Sequence, residues 1–326
     1  MKFSTQVGND NVSWSALKSI ALEVDKGSWH TLYNYDHLVP PSAELMPHLT
    51  NDRRAFEEKD CLEGYAILSA WAAITERVRL GCLVTAMPFR NPAVLVKQAA
   101  TIDQISNGRF EFGLGAAWHE SEARAYGIDL GTPKERLDRF NEGLEVIRRL
   151  LDNDQHQSFQ GHYYRIEDAP FAPRPVQKKL PILIGGGGEK RTLRMVAEYA
   201  DHYNFFIGSF STKEAYAHKN RVLDEHCQTI GRDPKEIRRS VCFFADIVDD
   251  EAQAKARRDF MGSNVEEAAR LDLLFGSPQF IIDGIARNVE GLDIDEVILC
   301  GLSPKAETFQ RFNEEVLKAF SPAGVR

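Results

Sequence analysis

The chain is 326 residues long and carries 40 basic and 48 acidic residues, which gives a formal net charge of −8. Hydrophobic residues make up 43% and charged residues 27%, a composition that supports a sizeable globular core and excludes a disordered chain, a collagen and a coiled coil. Because an acidic protein repels phosphate, the sequence predicts no binding to nucleic acid.

Apolar stretches and cysteines predict the compartment. The longest apolar stretches, 65–73 and 297–300, fall far short of the ~18–20 residues that a membrane span needs. Residues 1–6 lack the charged-then-apolar layout of a signal peptide. No Cys-x-x-Cys pair occurs among the cysteines, which are Cys61, Cys82, Cys227, Cys242 and Cys300. We therefore expect reduced thiols in a cytoplasmic protein that does not contact a membrane.

The first half of the chain alternates short apolar runs with amphipathic stretches. The runs predict strands at 3–7, 29–35, 78–85 and 109–115. Helical spacing of apolar residues predicts helices at 13–26, 62–75, 91–105 and 136–151. Ser13 suits a helix cap, and Pro92 suits a first helical turn because its missing N–H costs little there.

The second half repeats this rhythm. Strands are predicted at 181–184, 203–207, 240–248 and 294–300, and helices at 190–199, 213–230, 251–274 (broken at 262–263), 277–288 and 305–320. Strands that alternate with helices indicate a parallel sheet, because each crossover places a helix on the sheet. About eight such units favour an α/β fold, a single closed (β/α)8 barrel over residues 1–326, with an open doubly wound sheet as the alternative.

Three segments are longer than ordinary connections: 38–60, 118–135 and 158–180. The third contains 159–164, which predicts a small hairpin. The first two follow strands, at the end where the active sites of barrels lie. We therefore expect them to bind ligands, to cover a site or to contact another subunit.

Asp36 and His37 stand at the predicted carboxyl end of the second strand. Histidine titrates near neutral pH and an adjacent carboxylate can fix its tautomer, so the pair suits proton transfer. The alternative is a surface loop in which the aspartate caps a helix. We predict that His37 is the catalytic acid or base and that Asp36 orients it.

Gly113-x-Gly115 ends the predicted fourth strand and precedes the segment 116–119. Small residues allow the backbone to approach a flat or anionic ligand closely, whereas tight packing of the barrel is the alternative explanation. The run is not the dinucleotide-binding fingerprint, because Trp118 stands in place of the third glycine. The segment 119–122 lacks the second histidine of a zinc-binding His-Glu-x-x-His helix, so we predict no metal site.

Four consecutive glycines, 185–188, follow the predicted fifth strand and precede a helix. Their backbone N–H groups and the positive end of the helix predict a phosphate cradle, to which Lys190, Arg191 and Arg194 add charge. The run is not a P-loop, because Lys190 does not follow the last glycine directly. The alternative is a flexible turn before a solvated basic helix face.

These segments together resemble the luciferase-like flavin and deazaflavin oxidoreductases. The similarity extends over 35–37, 77–81, 90–93, 101–109, 113–119 and 181–204, and it resumes weakly at 276–278 and 295–299. It implies a (β/α)8 barrel, a homodimer, and a flavin or deazaflavin ring at the carboxyl face of the barrel. It also implies a non-proline cis peptide bond at the end of the third strand, near 82–85.

The resemblance assigns expected roles to individual residues. Trp118 and His119 would shape the substrate pocket, beside the catalytic His37 and Asp36. The residues expected to contact the cofactor are Leu83, Val84, Thr85, Gly113, Gly115, Ala116, Ala117, Gly185, Gly186, Gly187, Gly188 and Glu189.

The stretch 185–194, together with 199–201, is similar to the branch that uses coenzyme F420, a deazaflavin. Ala116 stands where bacterial luciferase has an arginine for the flavin phosphate, and where the deazaflavin sugar-phosphate dehydrogenases have a glutamate. The resemblance therefore implies hydride transfer between coenzyme F420 and a small organic substrate, without sugar-phosphate specificity. The alternatives are an FMN-dependent monooxygenase supplied by a separate flavin reductase, and a non-catalytic flavin-binding barrel.

Overall fold

Residues 1–40, 60–205, 212–261 and 273–320 are described by the structure, which is a computed structural model. The predicted loop 38–60 therefore lies largely outside the described residues. The same holds for the predicted end of the sixth strand at 206–207 and for most of the second half of the helix predicted at 251–274.

The described elements alternate along the chain as predicted. The strands are β1 (Lys2–Gln6), β2 (Thr31–Asn34), β3 (Arg79–Cys82), β4 (Thr85–Ala86), β5 (Phe110–Gly115), β6 (Gln157–Gln160), β7 (Arg165–Ala169), β8 (Ile182–Gly185), β9 (His202–Phe205), β10 (Arg238–Ile247), β11 (Leu273–Gly276) and β12 (Glu296–Cys300). The helices are α1 (Trp14–Lys26), α2 (Gly64–Ile74), α3 (Pro92–Ile105), α4 (Glu120–Ala125), α5 (Pro133–Asp152), α6 (Thr192–Tyr199), α7 (Lys213–Thr229), α8 (Glu251–Met261), α9 (Pro278–Val289) and α10 (Ala306–Arg311).

Two predicted helices differ from the structure. The helix predicted at 251–274 is wrong at its end, because α8 is followed by the buried strand β11. A short apolar run carries no period that separates a buried strand from a helix end. The helix predicted at 305–320 is α-helical as far as Arg311 and continues as a π turn to Val316 and a 3-10 turn to Phe320.

Contacts between residues divide the chain into two compact units. The first comprises the described parts of Met1–Gly8, Trp14–Tyr33 and Gly185–Arg326, and the second comprises Asn9–Ser13 and the described parts of Asn34–Ile184.

Parallel pairing builds the sheet of the first unit. β1 pairs with β2 and β12, and Phe3 lies opposite Val297. β10 pairs with β9, β11 and β12. All five residues of β12 are buried, which is typical of a strand with helices or other strands on both faces.

β5 is the central strand of the second unit and pairs in parallel with β3, β4 and β8. All six of its residues are buried. Helix α3 packs against α2 and α5 in the same unit. β6 and β7 form an antiparallel hairpin, which confirms the hairpin predicted around 159–164.

These strands and helices have the (β/α)8 barrel fold, a closed barrel of eight parallel strands with helices around it. β3 and β4 share the third strand position, and β11 is added beside the second half of β10. The predicted fold class is confirmed, and the prediction of one domain over 1–326 stays a prediction. Among the described helices, none combines the length and the apolar character that crossing a membrane requires.

Helix α5 shows how the sequence specifies a boundary and a buried face. The Thr132 side chain accepts a hydrogen bond from the N–H of Glu135, whose own side chain accepts one from the N–H of Thr132. This capping box satisfies two N–H groups that a helix start leaves open. The spacing predicts an apolar stripe of five residues on this helix, and four of them are buried while Leu137 is only half-buried. The four are Phe140, Leu144, Ile147 and Leu151.

Two glycines of β5 lie against the segment that follows β3. A Cβ atom on Gly113 would lie 1.8 Å from the carbonyl oxygen of Cys82, and one on Gly115 would lie 2.6 Å from Cγ2 of Val84. The peptide bond between Leu83 and Val84 is cis, which confirms the predicted non-proline cis peptide. Close packing of neighbouring strands therefore accounts for both glycines.

Gly113→Ala should destabilise the fold by more than about 3 kcal/mol, because the Cys82 backbone cannot yield to the added methyl group. Gly127→Ala is the control: its φ is +69° and nothing lies within 4 Å of the added Cβ atom. The left-handed backbone alone opposes that alanine, at a cost of about 1–2 kcal/mol. Urea unfolding measures both variants, and equal destabilisation would contradict the packing explanation.

Candidate active site

Asp36, which was predicted to orient His37, instead binds Arg90. Its carboxylate accepts two hydrogen bonds from the Arg90 guanidinium, at 2.6 and 2.9 Å, and one from the backbone N–H of Ala86 at 3.0 Å. The predicted role is wrong because both carboxylate oxygens of Asp36 accept from Arg90 or Ala86. Asp36 and His37 therefore face different neighbours.

The pair of Asp36 and Arg90 is part of a buried network. Asp36 is 3% exposed, and burial raises the pKa of its carboxyl, while the charge and hydrogen bonds of Arg90 oppose that shift. Arg90 also donates to Glu63 at 2.5 Å, and its guanidinium carbon lies 4.7 Å from the centre of the Tyr65 ring. Asp36 thus fixes the turn that runs from Ala86 to Arg90.

Glu122 takes the place that the sequence analysis gave to Asp36. Its Oε2 lies 2.9 Å from Nδ1 of His37, and its Oε1 accepts from the backbone N–H groups of Leu38 and Val39. Burial alone would raise the pKa of Glu122, but these hydrogen bonds and the charge of His37 outweigh it and hold the pKa below its usual value. The carboxylate is therefore ionised beside the imidazole at neutral pH.

The ionised Glu122 side chain selects one tautomer of His37. A carboxylate accepts only, so Nδ1 of the imidazole must carry the hydrogen in this contact. Nε2 then holds the lone pair of the neutral ring and is the atom that can take up a proton. Because the His37 side chain is 15% exposed, a ligand can reach it. This arrangement can accept and return one proton.

His119 caps helix α4. Its Nδ1 accepts a hydrogen bond from the backbone N–H of Glu122 at 3.2 Å. A protonated imidazole cannot accept there, so the cap requires the neutral ring with its hydrogen on Nε2. His119 is 4% exposed, and this environment suits a positioning residue better than a group that exchanges protons.

The structure brings His37, Trp118 and His119 together. The ring centres of Trp118 and His119 lie 5.4 and 5.8 Å from that of His37, and the Tyr35 ring lies 5.3 Å from it. Trp118 is 43% exposed. An indole surface is therefore open to a ligand beside the imidazole.

Glu122 is the residue that sequence reasoning missed. It lies 85 positions from His37, so no local spacing connects the two. One signal was available: Glu122 is in the first turn of a helix that follows a barrel strand, at the end where active sites form. The comparison of 119–122 with a zinc motif could not reveal this contact.

Two further predicted residues of the second unit, Thr85 and Ala117, have structural partners. The hydroxyl of Thr85 is buried and lies 2.8 Å from that of Tyr65. Ala117 adopts a φ of +66°, and its carbonyl oxygen accepts from Arg136 at 3.4 Å. Their contacts with a cofactor, like those of Leu83, Val84 and Ala116, stay proposals.

In the first unit, the glycine run 185–188 leads into α6. Gly186 is exposed with a φ of +126°, and a Cβ atom on Gly188 would lie 2.8 Å from the hydroxyl of Thr192. Arg191, at the N-cap of α6, provides no side-chain hydrogen bond to the helix start. A glycine backbone beside a helix start that lacks a side-chain cap fits an anion such as a phosphate.

Glu189 follows this run and points its carboxylate at α7. Oε1 accepts from Lys219 at 2.6 Å and lies 3.1 Å from Nε2 of His218. The hydrogen bond from Lys219 is the main cause that holds the pKa of Glu189 below its usual value. His226 contacts the Glu189 carbonyl oxygen at 2.8 Å. Contact of Glu189 with a cofactor would therefore come from its backbone rather than from its carboxylate.

A sequence model of the luciferase-like monooxygenases matches residues 5–293. The chain belongs to this family. The pyrimidine monooxygenase RutA of Caulobacter vibrioides is 31% identical over 216 residues, which are 64% of this chain and 58% of RutA. RutA of Methylorubrum extorquens is 30% identical over 217 residues, which are 65% of this chain and 57% of the relative. The chain thus covers less than two thirds of the length of these relatives.

Solved structures share the barrel fold across nearly the whole chain. An F420-dependent secondary alcohol dehydrogenase, in complex with an F420–acetone adduct, has a TM-score of 0.80 at 17% identity, over 97% of this chain and 98% of its own. Monooxygenase RslO1 from Streptomyces bottropensis has a TM-score of 0.76 at 20% identity, over 98% of this chain and 100% of its own. At these identities the likeness establishes the fold.

Glu122→Gln should lower the free energy of unfolding at neutral pH by about 1–3 kcal/mol, because an amide replaces the carboxylate that accepts three hydrogen bonds. The folded-state pKa of Glu122 lies below its unfolded value. Its contribution to stability is therefore complete above the unfolded pKa and is lost as the pH falls through the folded-state pKa. The difference between wild type and variant should shrink below about pH 4.

Urea unfolding across this pH range measures the difference, and Glu120→Gln on the same helix is the control. The Glu120 side chain is 62% exposed and lies 3.4 Å from Arg136. Its replacement should change stability by less than about 0.5 kcal/mol. If the difference in unfolding free energy between wild type and Glu122→Gln did not change with pH, the charge of Glu122 would not be the cause of the stabilisation.

Proposed function

We propose that the protein is an oxidoreductase that transfers hydride between coenzyme F420, a deazaflavin, and a small organic substrate. The observation that carries this proposal is the contact between His37 and Glu122. Hydride transfer to or from a carbon–oxygen bond moves one proton for each hydride. Nε2 of His37, with the opposite nitrogen held by an ionised carboxylate, suits that proton.

When bound, the coenzyme would supply the hydride chemistry. We propose that the glycine run 185–188, with the backbone of Glu189, holds its phosphate, because α6 begins there without a side-chain cap. We also propose that 83–85 contacts the ring and that 113–117 lies along the side chain of the cofactor. The resemblance of these segments to the F420-dependent branch supports this assignment.

His37 and the side chains near it would have separate roles in the reaction. His37 would give a proton to the substrate oxygen in reduction and take it in oxidation. Glu122 would stabilise the imidazolium that exists while His37 holds the proton, because its carboxylate is ionised. Trp118 would cover one face of the substrate and exclude water, and His119 would hold the start of α4 and therefore Glu122.

A monooxygenase that uses reduced FMN is the second candidate function. The observation that favours it is the 30–31% identity to pyrimidine monooxygenases. In this case a separate flavin reductase would supply the reduced FMN, and His37 and Glu122 would still handle a proton. For either candidate, the resemblance supports a homodimer, and cysteines that form no Cys-x-x-Cys pair support a cytoplasmic location.

Anaerobic turnover tests the proposal. The purified protein is titrated with oxidised F420 and with FMN, and is then mixed without oxygen with reduced F420 and a panel of small ketones, aldehydes and enones. A reduced deazaflavin has carbon where a flavin has N5, so it donates hydride and reacts poorly with oxygen. We expect turnover without oxygen. The rise in the visible absorption of oxidised F420 measures it. A requirement for oxygen and reduced FMN would favour the monooxygenase, and binding without turnover would favour a non-catalytic barrel.

His37→Ala should lower kcat by about 10²–10⁴-fold, the usual contribution of a positioned acid or base. His37→Asn keeps a hydrogen-bonding side chain but cannot carry a proton near neutral pH, so its kcat should resemble that of the alanine variant. Steady-state kinetics of both variants measure the effect. Recovery of activity in the asparagine variant would reduce His37 to a binding residue.

A second histidine that contacts a carboxylate provides the control. Nδ1 of His156 lies 3.1 Å from Asp168 in the exposed β6–β7 hairpin, and the His156 side chain is 56% exposed. His156→Ala should keep full activity. Full activity in both His37 variants would contradict the catalytic role.

A further inference from the structure

The turn of the β6–β7 hairpin is held by one carboxylate. Glu142 on α5 accepts hydrogen bonds from the backbone N–H groups of residues 162–164, at 3.0, 2.8 and 2.5 Å. Gly161 leaves room for this carboxylate, since a Cβ atom there would lie 2.1 Å from Oε1 of Glu142. The side chains of His162, Tyr163 and Tyr164 therefore project from a fixed turn.

A cleft of about 520 Å³ separates this turn from the segment that follows β4. Small-molecule sites have volumes of roughly 300–1,000 Å³, so the cleft can hold a ligand with a fused ring system. The lining residues that bear on recognition are Phe89, Arg90, Arg139, His162, Tyr163 and Tyr164.

Two of the lining side chains, those of Arg90 and Arg139, are positively charged. None of the lining residues that the structure describes is acidic. Arg90 is committed to the buried carboxylate of Asp36. Nη1 of Arg139 donates to the backbone carbonyl oxygen of Asp129, and Nη2 forms a looser ion pair with the Asp129 carboxylate, at 3.7 Å. The Asp129 side chain is 84% exposed. Water competes for such a carboxylate, so Nη2 of Arg139 can exchange it for the charge of a ligand.

Aromatic rings stand beside this charge. The guanidinium carbon of Arg139 lies 5.3 Å from the centre of the Tyr163 ring, and the rings of His162 and Tyr163 are 4.6 Å apart. Burial raises the pKa of the Tyr164 hydroxyl, which keeps it a neutral hydrogen-bond donor. A guanidinium over a ring offers a planar charge and a flat apolar surface at one place.

We propose that this cleft binds an aromatic carboxylate, with the carboxylate on Arg139 and the ring against Tyr163 and Phe89. The guanidinium matches a carboxylate through two parallel hydrogen bonds. Neither His37 nor Glu122 is among the described lining residues. The cleft is therefore a second site, and its ligand lies beyond the proposed hydride transfer.

Calorimetry with 2-naphthoate tests the proposal on the full chain. We expect saturable binding of one naphthoate per chain. The uncharged 2-naphthamide, which has the same ring system, should bind at least about tenfold more weakly. Arg139→Gln should weaken naphthoate binding by at least about tenfold, because it removes the charge-assisted hydrogen bonds.

Arg149→Gln is the matched control. Arg149 lies on the same helix, with its guanidinium carbon 5.3 Å from the Phe159 ring of the same hairpin, but it is not among the described lining residues. This variant and His37→Ala should bind naphthoate as tightly as the wild type. If thermal unfolding shows that Arg139→Gln does not fold, His162→Gln replaces it as the test variant. This substitution should also weaken the binding of naphthoate.

Three results would overturn the proposal. The first is a lack of saturable naphthoate binding by the wild type, and the second is equal binding of the amide. The third is a loss of binding in Arg149→Gln, which would indicate a diffuse charge effect, or in His37→Ala, which would place the probe in the candidate active site.

Discussion

The buried ion pair of Asp36 and Arg90 fixes the corner of the second unit in which the candidate chemistry lies. Loss of one partner from such a pair typically costs about 3–5 kcal/mol, because the other charge is left without compensation. The Asp36 carboxylate accepts hydrogen bonds from both Nη atoms of Arg90 and from the N–H of Ala86, so these bonds fix the direction of the Asp36 side chain. The next side chain, that of His37, contacts Glu122 and Trp118. The pair thus anchors the backbone from which the imidazole projects.

The barrel could be predicted where sequence pattern and burial agree. β5 is buried at every position and is apolar or glycine everywhere except at Glu111, and α5 buries most of the stripe that its spacing indicates. β11 could not be predicted, because four consecutive apolar residues fit a strand and a helix end equally well. The candidate site was predicted only in part, since the contact of His37 with Glu122 depends on tertiary structure rather than on spacing.

Two glycine-containing segments look alike in sequence but have different physical causes. Gly113 is required because the backbone of Cys82 occupies the space of a side chain. A Cβ atom on Gly186 would lie near only one described atom, Cγ2 of Thr192, at 3.3 Å. The φ of +126° at this position nevertheless disfavours most other residues. The first glycine therefore serves strand packing, and the second allows a positive φ in the turn before a helix start, where its own N–H donates to the carbonyl oxygen of Asn204. Packing thus accounts for the glycine motif of the first segment, and the proposed contact of that segment with a cofactor rests on the resemblance alone.

The fixed orientation of His37 has a stereochemical consequence for the proposed reaction. Nδ1 is held by Glu122 and the ring packs against Tyr35 and Trp118, so Nε2 points in one direction. A proton that arrives from one direction, with hydride that arrives at one face, makes the two faces of a prochiral ketone unequal. One enantiomer of the product alcohol would then form in excess. The face that receives the hydride would set its handedness, and Glu122 would contribute by holding the imidazole that orients the carbonyl oxygen.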